Sequence, residues 1–211
     1  DEFVIQSTIT ATGATDDHGA ISVKKKITVK GTGLSPKLLD ANKNAGGGKP
    51  YHRIFTVENG GELTLENITL KNGMAAGTTE DEKCGGAIFV KAGCKAKLKN
   101  CIIKNCKANK FGGGICSEGE LTLDGGTIGG SSADANEAMQ GGGICIQKNG
   151  RFTLKTATIS ENRADYGGAV VVRQTGSVSM ESGFLTTNTV GFLGGGVHVD
   201  NSASFTMTGG K

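Results

Sequence analysis

The residues of this chain that could do chemistry are six cysteines, three histidines and 20 acidic residues among 211. The cysteines lack the Cys-x-x-Cys spacing of common zinc sites, and His18, His52 and His198 are scattered along the sequence. Asp16-Asp17-His18 is the only local Asp/His group, and turn formation explains its paired aspartates better than catalysis does. We therefore expect no metal and no cofactor.

Catalysis on polysaccharides needs clustered carboxylates. A lyase uses them to bind calcium beside a basic proton acceptor, and a hydrolase uses an acid/base pair. No such cluster emerges from the columns of residues that the repeats below bring together. We expect no catalytic residues, and a polysaccharide lyase or glycoside hydrolase is the less favoured alternative.

The elements that position these residues are set by a glycine repeat. A cassette of Gly-Gly-Gly/Ala followed by Ile or Val begins at Gly85, Gly112, Gly141, Gly167 and Gly194, in steps of 27, 29, 26 and 27 residues. A fixed period of this size indicates a solenoid. With 36 Gly but only 2 Pro, the chain is neither collagen-like nor a flexible linker.

Alignment on the glycines gives three short strands per coil, each with apolar residues at alternate positions, which is typical of one buried face. In the first strand these are Ile88/Val90, Ile144/Ile146, Val170/Val172 and Val197/Val199. In the second they are Leu63/Leu65, Ala96/Leu98, Leu121/Leu123, Phe152/Leu154, Val178/Met180 and Phe205/Met207. In the third they are Ile68/Leu70, Cys101/Ile103, Ala157/Ile159 and Gly183/Leu185.

This pattern predicts an all-β fold, a right-handed single-stranded parallel β-helix of the pectate-lyase-like kind, with about seven coils of roughly 27 residues. The glycines occupy a corner that needs positive φ and close backbone approach. We expect the middle glycines, Gly113, Gly142 and Gly195, to be in conformations that a Cβ opposes.

The predicted organisation is one continuous domain. Residues 1–53 are expected to form an irregular opening coil and loop, and residues 54–211 the regular repeats. The segments Leu34–Pro50, Gly77–Lys83 and Asp134–Gln140 lack the alternation and are predicted to protrude as loops. The sequence stops at Lys211, where a third strand is due, so we expect a fragment truncated at its C-terminus.

Two outward columns of the first strand stand out. The first is unusually apolar and consists of Thr56, Phe89, Cys116, Cys145, Val171 and His198. We predict that Phe89, Cys116, Cys145, Val171 and His198 form an exposed binding stripe; alternatively, the Asp134–Gln140 loop or an oligomer covers it. The second column alternates in sign, which predicts the ion pairs Lys91–Glu118 and Arg173–Asp200.

The cysteines fall at different places in the coil. Cys116 and Cys145 are neighbours in one column and are the first disulfide candidate, although their Cβ vectors run parallel. Cys84 and Cys106 share the turn after the third strand and are the second candidate. Cys101 is expected to point inward as a small buried hydrophobe.

The charge balance excludes some partners. A net charge of +3 with Lys and Glu interspersed predicts no nucleic-acid surface. No stretch approaches the roughly 20 apolar residues that span a bilayer. We expect membrane attachment only through parts absent from this chain.

The repeat resembles the Gly-rich β-helices of bacterial surface proteins, in particular the autotransporter passengers of polymorphic membrane proteins. Their motif, Gly-Gly-Ala followed by Ile, Leu or Val, occurs at Gly85–Ile88 and Gly167–Val170. Their partner motif, Phe-x-x-Asn, is replaced by Ile159-Ser-Glu-Asn162 and Leu185-Thr-Thr-Asn188.

The resemblance implies a secreted or outer-surface protein that acts as an adhesin. We therefore predict a bacterial cell-surface module that binds a host extracellular protein or glycan. A passive stalk that carries a distal domain is the alternative.

Overall fold

The computed structural model describes residues 1–10, 19–33, 35–41 and 52–211. The strands of the N-terminal half are β1 (Glu2–Ile5), β2 (Ile9–Thr10), β3 (Ile21–Val23), β4 (Lys26–Gly31), β5 (Lys37–Asp40), β6 (Phe55–Val57), β7 (Glu62–Glu66), β8 (Ile68–Lys71), β9 (Met74–Ala75), β10 (Ile88–Val90), β11 (Lys95–Lys104) and β12 (Lys107–Ala108). Those that follow are β13 (Ile115–Ser117), β14 (Glu120–Gly129), β15 (Glu137–Gln140), β16 (Ile144–Ile146), β17 (Arg151–Leu154), β18 (Thr158–Ser160), β19 (Arg163–Tyr166), β20 (Val170–Val172), β21 (Ser177–Met180), β22 (Phe184–Thr186), β23 (Thr189–Leu193), β24 (Val197–Val199) and β25 (Ser204–Met207). One 3-10 turn covers Asp81–Lys83.

The strands form three parallel sheets that wind around one core. Seven strands, from β3 to β24, are the predicted first strands, and thirteen form the sheet that holds the predicted second and third strands. Pairing is in register from coil to coil, as for Ile88 with Ile115 and Ile115 with Ile144. The predicted parallel β-helix of about seven coils is therefore confirmed.

A third sheet, which the sequence had suggested only as a turn, runs along the corner between the third strand and the glycines. It contains β9, β12, β15, β19 and β23. The expected Asp134–Gln140 loop is wrong in its second half, because Glu137–Gln140 forms β15 of this sheet. We call this sheet the corner sheet.

The other predicted loops differ in outcome. Gly77–Lys83 does protrude, with residues 77–80 exposed ahead of the 3-10 turn. The prediction of a single loop over Leu34–Pro50 is wrong, because Lys37–Asp40 forms β5, which pairs with β2 and β8. The described part of residues 1–53 joins the same ladders as the later coils, with β1 on β4 and β3 on β6.

The interior is filled by the predicted inward columns. Val57, Leu65, Leu98 and Ile144 are completely buried, and the core continues through every coil from Val23 to Met180. Each coil buries only a few side chains, so stability comes from stacking between coils. Cys101 points into this core as expected, with Sγ donating to the carbonyl of Leu65 at 3.4 Å.

The first and middle glycines of each corner have different roles, which the sequence did not separate. The positive φ lies on the first glycine of each cassette, as at Gly141 with φ of 71°. The middle glycine is required for space: a Cβ on Gly142 would lie 2.5 Å from the carbonyl oxygen of Arg163. Gly195, in the last corner, does not share this constraint, because its Cβ would meet only Asn188 O at 3.6 Å. The prediction is thus wrong for Gly195.

A ladder of two buried asparagines and one half-buried asparagine joins three successive coils beside the corner sheet. Nδ2 of Asn136 donates to Oδ1 of Asn162 at 2.9 Å, and Nδ2 of Asn162 donates to Oδ1 of Asn188 at 3.0 Å. Nδ2 of Asn162 also donates to the carbonyl of Ile128 at 2.9 Å. These amides satisfy backbone groups that the turn leaves unpaired. Asn162 and Asn188 are the asparagines of the altered Phe-x-x-Asn motif, so that motif has a structural role here.

Candidate functional site

The predicted binding stripe is not a surface. Phe89, Cys116, Cys145 and Val171 are completely buried, and only His198 retains exposure, with 25% of its side chain accessible. The first four pack with Cys84 and Phe111 in a second apolar cluster, outside the wall of first strands. We call this the outer cluster. The prediction of an exposed stripe is wrong, and the cover is made by Cys84 and Phe111 rather than by the Asp134–Gln140 loop that we expected as the alternative.

The cover comes from the residues that precede each glycine pair. Cys84, Phe111 and Gln140 are bridged in parallel, and the ladder continues to Tyr166 and Leu193. The positive φ of the next glycine turns the chain back, which lays these residues across the first strands. Sequence reasoning missed this because period-2 alternation describes one strand and not the chain segment that folds over it.

Cations complete the cover. The Cζ atom of Arg53 lies 5.2 Å from the ring centroid of Phe89, and that of Arg173 lies 4.5 Å from the ring of Phe111. Burial lowers the pKa of the Arg53 guanidinium, which also donates a hydrogen bond to the carbonyl of Asp81. Each cation therefore closes one edge of the outer cluster against water.

The cysteines are buried thiols, and no disulfide joins them; all six lie in the described part of the chain. Cys116 is in register with Cys145, as predicted. The second candidate pair, Cys84 and Cys106, is wrong: Cys84 belongs to the outer cluster, whereas Cys106 belongs to the central core. Burial raises the pKa of Cys116 well above its ordinary value and that of Cys101 to about 11.

The charged column beside the outer cluster is partly as predicted. Nε of Arg173 lies 3.8 Å from Oδ2 of Asp200. Lys91 pairs with Glu58 at 3.2 Å instead of with Glu118. Glu118 is held at 2.7 Å by Lys148, which lies next to Gln147 of the following coil. The column therefore fixes the register of the coils through local ion pairs.

At the C-terminal end of this face, an exposed aromatic ring stacks on a half-buried one. The corner sheet has a bulge there: Ala164 pairs with Val190 and Tyr166 with Leu193, so β23 has one residue more than β19. The ring of Phe192 stacks on that of Tyr166 with centroids 5.4 Å apart. Phe192 is 68% exposed, the largest value among the exposed hydrophobic residues described. Bulges commonly redirect one side chain in this way.

Polar groups surround this aromatic pair. The ring of His198 lies 5.7 Å from that of Tyr166, and its Nε2 lies 3.1 Å from Oδ1 of Asp200. Nη1 of Arg173 donates to Oε1 of Gln140 at 3.3 Å. We call Tyr166, Phe192, His198, Asp200 and Arg173 the aromatic platform. Of these five residues, only His198 was among the predicted site residues.

Two further kinds of candidate from the sequence concern metal binding and membrane insertion. Asp16-Asp17-His18 lies outside the described residues. In the part of the chain that the structure covers, no group of three or more His, Cys, Asp or Glu is placed to hold a metal ion. Within the same part, no helix is long and apolar enough to cross a membrane.

Comparison with known proteins identifies the fold and nothing narrower. A family model described as the right handed beta helix region matches residues 53–210, about three quarters of the chain. No curated protein matches the chain, and no solved structure does.

Proposed function

The chain belongs to the right-handed β-helix family, and on that premise we propose that it is a non-catalytic module that binds carbohydrate on the aromatic platform. The observation that carries this proposal is the bulge in β23, which stacks the exposed ring of Phe192 on Tyr166. The 68% exposed ring of Phe192 is continuous with that of Tyr166, and contiguous exposed apolar surface marks interaction sites.

The shape of the platform favours a sugar over a compact ligand. The ring of Phe192 lies against one face of Tyr166 at an inclination of 28°, so the outer face of Phe192 offers an apolar surface about the size of a pyranose ring. The C–H groups of a sugar face make weak contacts with an aromatic face. An elongated polysaccharide can lie along such a face without needing a closed pocket.

The polar neighbours supply directional contacts for hydroxyl groups. Asp200 offers carboxylate oxygens and is oriented by His198 and by Arg173. Arg173 is in turn fixed by its stacking on Phe111 and by Gln140. Planar groups held in this way are suited to hydrogen-bond pairs of adjacent hydroxyls. The donors and acceptors lie next to the rings, which is the combination that sugar recognition requires.

The proposal also includes a location for the module outside the bacterial cell. The Gly-Gly-Ala-Ile and Gly-Gly-Ala-Val cassettes at Gly85 and Gly167 resemble those of bacterial surface proteins. We place the module at the bacterial outer surface, where it would meet host or environmental glycans. A host extracellular protein is the other ligand class that an aromatic and arginine-containing surface would fit, and the test below includes it.

Two other functions predict different surfaces. A passive stalk would have a uniform polar exterior with no reason to expose Phe192. A lyase would need clustered carboxylates to bind calcium and a hydrolase a pair of them, whereas Asp200 is the one carboxylate among the five platform residues. These features favour binding over either alternative.

A glycan array and a panel of extracellular matrix proteins, both probed with this 211-residue chain, test this proposal. We expect retention of at least one polysaccharide class and no turnover of it, with or without calcium. Retention of matrix proteins alone would contradict the ligand class. Release of shortened or unsaturated sugars would contradict the absence of catalysis.

A further inference from the structure

Three thiols meet in the outer cluster, and they come from two different kinds of element. Cys116 and Cys145 lie on the first strands β13 and β16. Cys84 lies in the segment that folds over those strands, directly after the protruding Gly77–Lys83 loop. All three are at most 1% exposed and belong to one contact cluster.

Cys116 and Cys145 are poorly oriented for a bond with each other. They are in-register neighbours on parallel strands, so their Cα–Cβ bonds point the same way and their Cβ atoms are about as far apart as the strands, near 4.8 Å. A disulfide needs Cβ atoms about 3.5–4.5 Å apart. Closing this pair would require the two strands to approach each other.

Cys84 faces β13 and β16 from the segment that lies over their outer face. The chain that follows it passes close to β13: a Cβ on Gly85 would lie 3.1 Å from the backbone N of Cys116. Cys84 and Cys116 therefore project into the outer cluster from facing segments, which allows their Cβ atoms to approach without moving a strand. Nε2 of Gln147 lies 3.9 Å from Sγ of Cys84 on the polar side of this cluster.

We propose that Cys84 and Cys116 are a disulfide-forming pair, which closes when the protein folds in, or is exposed to, an oxidising thiol–disulfide environment. Cys84 attacks oxidised glutathione as the thiolate, releasing one reduced glutathione and forming a mixed disulfide. The Cys116 thiolate then displaces the second reduced glutathione. The two thiol protons of the protein pass to the two glutathione thiolates that leave, the two protein sulfurs are oxidised, and one oxidised glutathione is reduced to two thiols.

The Gly77–Lys83 loop controls access to Cys84. Sγ of Cys84 donates to the carbonyl of Glu80 at 3.0 Å, beneath loop residues 77–80, which are exposed. The hydrogen bond with the Cys116 thiol and burial hold the pKa of Cys84 above its ordinary value, and the charge of the Arg53 guanidinium opposes them only in part. Reaction thus requires the loop to open. Once formed, the disulfide would attach the end of this loop to strand β13.

The test is peptide mapping under non-reducing conditions after refolding in glutathione redox buffer, and after incubation of native protein with oxidised glutathione. We expect a linked peptide pair that contains Cys84 and Cys116 in the wild type and in Cys145→Ala. We also expect the melting temperature of the oxidised protein to exceed that of the reduced protein by about 5–10 °C.

Cys84→Ala should lose both the link and the rise in melting temperature. A Cys116–Cys145 link, or six thiols in both protocols, would overturn the proposal. Because the readout is chemical, the result does not depend on whether the platform binds a sugar.

Discussion

The ring of Tyr166 stacks on that of Phe192 at a centroid distance of 5.4 Å, although the two residues are not paired in the corner sheet. The ladder partner of Tyr166 is Leu193, and the extra residue of β23 places Phe192 beside it. A regular β23 would remove this contact. The bulge in β23 therefore forms the aromatic platform, at the C-terminal end of the ladder that covers the outer cluster.

The asparagine ladder should be a main source of stability. Asn162 is completely buried and contacts Asn136 and Asn188 through its amide. Asn162→Ala leaves several buried partners without hydrogen bonds, so we expect a loss of about 2–4 kcal/mol in the free energy of unfolding. Asn188→Ala, at the half-buried end of the ladder, should cost less. Denaturant titration measures both, and equal losses would contradict the ladder's role.

The glycine corners offer a matched pair of variants. Gly142→Ala places a Cβ 2.5 Å from a backbone oxygen of the adjacent coil, whereas Gly195→Ala meets nothing closer than 3.6 Å. We expect Gly142→Ala to lower the free energy of unfolding by about 2 kcal/mol or more, and Gly195→Ala by about 0.5 kcal/mol or less. Thermal unfolding distinguishes them, and a tolerated Gly142→Ala would refute the close approach of the coils.

The outer cluster should behave as a core. Phe89 is completely buried between the first strands and their cover, so Phe89→Ala should cost about 3–5 kcal/mol, and Phe89→Lys should prevent folding. Phe184, which is 50% exposed, is the control: Phe184→Lys should leave the far-ultraviolet circular dichroism spectrum unchanged. A folded Phe89→Lys protein would mean that the cover is open in solution.

One ion pair should make stability depend on acid pH. The Lys99 ammonium, 2.7 Å from Oε1 of Glu66, holds the pKa of that carboxyl below its ordinary value. Since the folded pKa lies below the unfolded one, the stabilisation is present above about pH 4.3 and is lost as the pH falls through the folded pKa. In a double-mutant cycle with Glu66→Gln and Lys99→Met, the coupling should be measurable at neutral pH and vanish near pH 2. Coupling that persists in acid would contradict this assignment.

The sequence predicted most of the fold, because the glycine period and the alternation of residues such as Ile144 and Leu123 each reflect a repeated physical requirement. It did not predict which outward residues remain exposed. Phe89 alternates like a surface residue, yet it is buried by Cys84 and Phe111, which precede the glycine corners of two successive coils. Burial of that kind depends on how the corner folds back and leaves no periodic signal.

The aromatic platform was missed for a related reason. It depends on one additional residue in β23, and that residue is visible in the sequence only as a longer interval between Asn188 and the next glycines: five residues, against four between Asn162 and Gly167. This difference could have indicated a bulge. It could not have shown that the bulge turns Phe192 toward Tyr166, since that requires the register of the corner sheet.

The affinity of the aromatic platform for polysaccharide tests the central claim most directly. The measurement is isothermal titration of the wild type, Tyr166→Ala, Phe192→Ala and the control Phe184→Ala with the polysaccharide retained on the array. Removing either platform ring should weaken binding about 10-fold or more while the melting temperature changes little for Phe192→Ala, and Phe184→Ala should bind like the wild type. Undiminished binding by both Tyr166→Ala and Phe192→Ala would contradict the account and place any sugar site elsewhere on the helix.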